Sequence, residues 1–234
     1  MTRPVRDRGY VHPEYLVETD WLADHVSDPT HRVVDARSDE DYAASHIPGA
    51  VHISGFSLGT VGPESAMTFA RRVGLRGIDE QTPVIVYDGG GPSQLAGMTS
   101  WAFKYYGHPN VRYMDGGMAK WMTSGLPVTS DRPTPEPRTF TPDPVDDLLC
   151  SLDQAKAGVA DGSVVFWDVR TDGEFDGTEA SWNPLPRPGH IPGAAHLNYV
   201  ELFDADDGTL RPANELTTLL GAKGITPEST IASY

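Results

Sequence analysis

The chain has 234 residues, about one and a half domains at ~150 residues each. Its 18 basic and 33 acidic side chains give a formal net charge of −15, which repels nucleic acid and anionic membrane and argues against both as partners. Hydrophobic residues are 38% and charged residues 22% of the chain, the balance of a folded globular protein rather than a disordered one.

No run approaches the ~18 consecutive apolar residues of a membrane span. Arg3, Arg6 and Arg8 are not followed by the apolar core of a secretory signal, so a cytoplasmic protein is expected. The single cysteine, Cys150, excludes an internal disulfide and any cysteine-based metal cluster. No metal or organic cofactor is implied.

In chain order, the β-branched stretches at residues 32–35 and 83–87, flanked by turn residues, predict strands. Residues 93–106 predict a helix with Leu95, Met98, Ala102 and Tyr105 on one face. Residues 111–114, closed by Gly116 and Gly117, predict another strand, and Trp121 a core position. Strands alternating with helices imply an α/β fold, a mostly parallel sheet covered by helices on both faces.

The chain then repeats itself. VVDAR at 33–37 returns as FWDVR at 166–170, HIPGAVHI at 46–53 as HIPGAAHL at 190–197, and GIDEQTPVIVY at 77–87 as GITPESTIASY at 224–234. Three blocks in the same order indicate a tandem duplication, with insertions in the second copy near GTEASWNPLPRP. Six prolines within residues 127–147 mark the join, because proline-dense chain is extended and cannot continue a helix. The expected division is a first domain at 1–130, a Pro-rich linker at 131–147 and a second domain at 148–234.

In such a sheet, ligands bind where a strand's carboxyl end meets the next helix N-terminus, among backbone N–H donors. In the first copy that loop is Asp88-Gly89-Gly90-Gly91-Pro92-Ser93. Asp88 places a carboxylate where an anionic substrate would be repelled, so the first copy reads as catalytically silent. The glycines are a weak phosphate cradle, since no lysine follows them as a P-loop requires.

Together, VVDAR, HIPGAVHI, VIVYDGGG and MDGGMAKW in copy one, with WDVR, GHIPGAAHL and IASY in copy two, resemble the tandem-domain rhodanese family, the thiosulfate and 3-mercaptopyruvate sulfurtransferases. The resemblance runs from about Tyr15 to the last residue. It implies two tandem rhodanese-like domains, the first inactive with Asp88 at its loop head. It also implies a nucleophilic cysteine directly after the fourth strand of the second domain. That cysteine takes a sulfane sulfur as a persulfide and passes it to a thiol or cyanide acceptor. A thiolate there, ringed by N–H donors at a helix N-terminus, has a lowered pKa.

Tyr234 stands level with Tyr87, so the nucleophile is expected at the position after Tyr234 and the second domain is expected to be incomplete in this chain. Ile231–Tyr234 and its partner strand at 164–168 are both expected to lack a neighbour, leaving copy two partly open. Cys150 is a poor substitute: Asp146, Asp147 and Asp153 flank it, and nearby carboxylates raise a thiol's pKa, so it reads as a packed, inert thiol.

Asp35 with Arg37, and Asp168 with Arg170, read as ion pairs that fix the loops, Arg170 also as a candidate for holding an anionic substrate. His46 and His190 read as turn-fixing histidines. Glu174 stands where the mercaptopyruvate enzymes carry a substrate-binding arginine, with Asp172 and Asp176 beside it. The acidic trio receives a carboxylate or dianion poorly and leans toward a thiosulfate-type or another sulfur donor. Two other readings stay open: a non-catalytic rhodanese-like binding module or decayed gene product, and a phosphatase or arsenate reductase on the same fold.

Overall fold

The computed structural model describes residues 3–58, 62, 65–179 and 187–234. The insertion read at GTEASWNPLPRP falls largely outside these residues. The chain forms two compact units: Met1–Leu149 with Asp204–Leu210, and Cys150–Phe203 with Arg211–Tyr234. Among the described residues, no helix is long and apolar enough to cross a membrane.

In the first unit, β1 (Leu16–Val17) leads into α1 (Thr19–His25), β2 (Arg32–Asp35) into α2 (Asp39–Ala44), and β3 (Val51–His52) toward α3 (Ala66–Gly74). Then come β4 (Val84–Tyr87), α4 (Leu95–Tyr105), β5 (Val111–Met114) and α5 (Gly117–Thr123). The strands lie in the order β1-β5-β4-β2-β3, all parallel, with Asp35 level with Tyr87. Parallel strands need both faces covered, and the alternation of side chains supplies two apolar faces. Val34, Val84 and Val86 pack with Phe69 and Val73 of α3 and Phe103 of α4. Val33 and Ile85 pack on the other face with Leu22 of α1 and Met118 and Trp121 of α5. Trp121 is fully buried and its indole N–H donates to the Pro127 carbonyl at 2.8 Å.

The predicted helix at 93–106 is found as α4, and of its expected face Ala102 and Tyr105 are buried and Leu95 packs on the core, with Met98 the one departure. Ala96, Thr99, Ala102, Phe103 and Tyr105 are inside, and Met98 is 40% exposed. The Asp88 carboxylate accepts the Ala96 N–H at 2.8 Å in the first turn of α4.

The Pro-rich stretch is strapped along the first unit. Phe140 enters its core, Arg138 N–H donates to the Gly74 carbonyl at 2.9 Å, and Val145 N–H to the Tyr105 carbonyl at 2.7 Å. A Cβ on Gly107 would lie 2.6 Å from the Asp143 carbonyl, so the strap passes where only glycine leaves room.

The second unit contains α6 (Leu152–Asp161), β6 (Val165–Asp168), α7 (Asp172–Asp176), β7 (Ala195–His196), α8 (Ala213–Gly221) and β8 (Ile231–Ser233). Ser151–Gln154 and Thr171–Glu174 form reciprocal capping boxes at α6 and α7, and Gly162 and Gly177 end those helices in the left-handed conformation. The parallel order is β7-β6-β8. This corrects the expectation for the strand at 164–168: β6 has a neighbour on each side. In the first unit β5 pairs with β4 and β1 and never touches β2, so its counterpart is not required beside β6. β8 is the edge of the described sheet. All four residues of β4 are buried, whereas Ile231 of β8 is 42% exposed.

Segment 204–210 completes the first unit. The Asp115 carboxylate, 1% exposed, receives Arg8 Nη1 at 2.5 Å and the Leu210 N–H at 2.8 Å, while Arg8 also donates to the Leu210 carbonyl at 3.0 Å. Removing one partner of a buried pair strands the other charge. Asp115→Ala is therefore expected to lower the unfolding free energy of the first unit by about 3–5 kcal/mol in urea titration, and Arg8→Met by a similar amount. A change below about 1 kcal/mol, the range of surface pairs, would remove this role.

Candidate functional site

At the carboxyl end of β6, Asp168 is fully buried and held from three sides. Arg170 donates through Nε to Oδ1 at 2.9 Å and through Nη2 to Oδ2 at 2.5 Å, and its backbone N–H caps Oδ1 at 3.0 Å. Nη2 also reaches the Gly189 carbonyl at 2.9 Å. Tyr234, directly after β8, bears on the same carboxylate, and its hydroxyl accepts the Ile191 N–H at 2.9 Å. Arg170 lies over the Tyr234 ring, 5.3 Å from its centroid. Parallel pairing sets this cluster: Tyr234 N–H donates to Trp167 O, and Val169 N–H to Tyr234 O.

The first unit has the same clasp. Arg37 donates to Asp35 through Nε at 3.0 Å and Nη2 at 2.6 Å, and to the Ser45 carbonyl at 2.5 Å. Tyr87 OH donates to Asp35 at 2.6 Å and accepts the Ile47 N–H at 3.2 Å. Burial pushes the Tyr87 hydroxyl far above the ordinary phenol range. In both units two arginine nitrogens are committed to the clasp, so the candidate role of Arg170 toward an anionic substrate falls to its remaining amino group, Nη1.

The turn histidines occupy matching places. His190 Nδ1 lies 2.9 Å from the Phe175 carbonyl, and His46 Nδ1 2.8 Å from the Tyr42 carbonyl. Residue reading missed what each ring stacks on. Phe175 lies between His190 and His196, with centroids 3.7 and 4.3 Å away, and Tyr42 between His46 and His52 at 4.0 and 4.8 Å. His196 Nε2 and His52 Nε2 then contact the carbonyls of Arg170 and Arg37 at 3.0 and 2.9 Å. The signal was present in HIPGAxH, which places two histidines six residues apart in both copies after an aromatic helix residue.

Glu174 is used locally: its carboxylate accepts the Thr171 N–H at 3.2 Å to close the α7 capping box. Asp172 Oδ1 is 3.7 Å from His196 Nδ1. Cys150 is exposed, not packed as the sequence implied; its thiol lies 3.7 Å from the Ser151 carbonyl.

In the first unit the loop after β4 is occupied by its own side chain. Asp88 is fully buried, accepting Gly90 N–H at 3.0 Å and Ala96 N–H at 2.8 Å. Burial pushes its pKa up against the pull of these backbone bonds. The loop is also covered. A Cβ on Gly90 would lie 2.1 Å from the Gly116 carbonyl, and one on Gly208 would lie 2.7 Å from Gly91.

Two outcomes follow from this geometry. Asp88→Ala leaves the buried Ala96 N–H and the partly buried Gly90 N–H without this acceptor and is expected to cost about 1–3 kcal/mol in urea unfolding. For Asp168, burial raises the pKa, but hydrogen bonds from Arg170 and Tyr234 outweigh it and hold the carboxyl below its ordinary range. Its stabilisation is present above the unfolded value, about 3.9, and is lost as pH falls through the lower folded value. Acid unfolding followed by Trp167 fluorescence should fall in that window, and Asp168→Asn should remove the Asp168 contribution to its pH dependence.

Comparison with known proteins agrees with this architecture. Residues 18–124 match the rhodanese-like domain. The chain is 35% identical to the sulfur carrier protein TtuD of Thermus thermophilus, over 97% of this chain and 84% of that protein. It is 30% identical to thiosulfate/3-mercaptopyruvate sulfurtransferase 2 of Arabidopsis thaliana, over 94% of this chain and 74% of the relative. The crystal structure of SseA from Escherichia coli, described as a 3-mercaptopyruvate sulfotransferase with the rhodanese fold, superposes with a TM-score of 0.82 at 25% identity. That superposition covers 94% of this chain and 87% of SseA. The duplicated parallel sheets, the paired clasps and these relatives lead to one conclusion: the chain belongs to the rhodanese family of thiosulfate/3-mercaptopyruvate sulfurtransferases.

Proposed function

We propose that the reaction centre of this sulfurtransferase lies at the carboxyl end of β8, and that the first unit is catalytically silent. The observation that carries the reading is the state of the two loops' surroundings. In the first unit a buried carboxylate, Asp88, already takes the loop's N–H donors. In the second, the Asp168–Arg170–Tyr234 clasp fixes the end of β8 where the family's nucleophile follows.

The nucleophile in this reading is a cysteine thiolate at the position after Tyr234, outside the sequence described. It attacks the outer sulfur of thiosulfate, the S–S bond breaks, and sulfite leaves with the bonding electrons. The resulting persulfide gives its terminal sulfur to cyanide or a thiolate, and the cysteine leaves as thiolate. In this reading the uncommitted Nη1 of Arg170 supports an anionic donor, with His190 holding the neighbouring turn. Glu174, committed to its capping box, disfavours a carboxylate donor at the place where mercaptopyruvate enzymes use arginine, which favours thiosulfate.

The test pairs an intact-mass measurement of the protein from its native source with cyanide-dependent thiocyanate formation from thiosulfate. A mass above 25.4 kDa with an added cysteine after Tyr234 and turnover is the expected result. In that protein Cys150→Ser should leave kcat and KM unchanged. Turnover by the 25.4 kDa chain that disappears in Cys150→Ser would overturn the assignment.

A further inference from the structure

The histidine that opens each HIPGA turn is held differently in the two units. His46 is fully buried, with Nδ1 2.8 Å from the Tyr42 carbonyl and Nε2 3.1 Å from the Asp131 carbonyl. A carbonyl oxygen only accepts, and a neutral imidazole has one N–H and one lone pair. With one proton, the ring makes one of these bonds and sets a lone pair against the other oxygen. Only a ring protonated on both nitrogens makes both. His108 shows the other pattern: Nε2 lies 3.1 Å from the Asp79 carbonyl and Nδ1 accepts the Asn110 N–H at 3.2 Å, so one proton suffices. His190 is exposed, and among the described residues its ring has one hydrogen-bond contact, from Nδ1 to the Phe175 carbonyl.

The second acceptor on His46 comes from the Pro-rich strap. Thr129 bridges to His46 through the backbone, donating to its carbonyl at 2.9 Å and accepting its N–H at 2.8 Å. The next backbone tie is the Arg138 N–H to the Gly74 carbonyl. Between these two ties, among the described residues, the His46 ring makes the one hydrogen bond from the strap to the rest of the unit. Pro133, Pro135 and Pro137 have no N–H to add another.

The surroundings of the ring oppose one another. Tyr42 of α2 stacks on it at 4.0 Å and offers the negative face of its ring to a charge. Tyr42 is also faced by His52, whose Nδ1 is 3.2 Å from Asp39, and by Arg132 of the strap, 5.7 Å from the ring centroid. Arg37 donates to the Ser45 carbonyl, and Tyr87 joins the Ile47 N–H to Asp35, so the turn also touches the Asp35–Arg37 clasp. Burial and Arg132 work against a charge on His46; the two carbonyls and the Tyr42 face work for it. Of the two bonds, the one to Tyr42 is shorter, spans four residues and has a counterpart in His190 and Phe175. A ring with one proton therefore keeps Tyr42 and gives up Asp131.

We propose that His46 is a proton-operated tie for the strap: doubly protonated it holds the Asp131 carbonyl, and loss of one proton as pH rises releases residues 130–137 while the Thr129 bridge stays. This device owes nothing to the sulfur-transfer reading and stands or falls separately from it.

The test is histidine side-chain nitrogen NMR of the whole chain, titrated from about pH 5 to about pH 9. His46 is expected to carry an N–H on both nitrogens at the acid end and on one at the alkaline end. Backbone order parameters of Arg132, Thr134 and Glu136 should fall from about 0.85 to below about 0.6 at the same midpoint, with Thr129 unchanged. His46→Gln, which does not titrate, should remove the pH response of the strap, and His190→Gln should leave its midpoint in place. If His46→Gln does not fold, the co-titration of ring and strap in the unsubstituted chain decides. A His46 ring with a single N–H at the acid end, a ring that keeps both protons to about pH 9, or strap order that does not follow His46 would each overturn the proposal.

Discussion

A carboxylate with no solvent around it must be matched on every side, and each sheet of this protein is organised around one such group. Asp35 and Asp168 are fully buried at the carboxyl ends of β2 and β6. Each is met by an arginine two residues on and a tyrosine from the neighbouring strand. The arginine then ties in a carbonyl from the next turn, Ser45 or Gly189, and the tyrosine hydroxyl takes an N–H from Ile47 or Ile191. Burying an ion pair adds little net stability, because desolvation offsets the attraction. What it supplies here is placement: three chain segments that are distant in sequence are fixed at one point, and the loop after the tyrosine begins from a defined position.

The units differ in what lies around that point. In the first, β4 is enclosed between β2 and β5, and the loop after it is closed by Asp88, Gly90 and Gly116 into a packed turn. In the second, β8 pairs on one side only among the described residues, and Tyr234 is only partly buried. Burial raises both tyrosine hydroxyls, Tyr87 far above the ordinary phenol range, while hydrogen bonds hold Asp168 low.

Much of this was legible in the residues, for physical reasons. The repeat exposed both Asp–Arg pairs, because a two-residue spacing at a strand's end brings a guanidinium back onto its own carboxylate. The parallel α/β class followed from strand–helix alternation. On α4 hydrophobicity alone placed Met98 inside with Ala102 and Tyr105, whereas Met98 is 40% exposed and the small Ala96 and Thr99 are buried. The histidine–aromatic stacks went unread because their partners come from α2 and α7 rather than from the turns. Cys150 was expected to pack, yet it precedes the exposed start of α6. No local signal could assign 204–210 to the first unit, since that placement depends on Asp115, 95 residues away from Leu210.

That last feature bears on how the protein is made. Domains generally fold in order as the chain leaves the ribosome, the first completing itself before the second appears. Here the first unit's own residues end at Leu149, but the N–H that completes the Asp115 carboxylate belongs to Leu210. During synthesis the nascent first unit therefore passes through an interval in which Arg8 and Asp115 face each other with one position still held by water. Its final burial waits until most of the second copy has been translated.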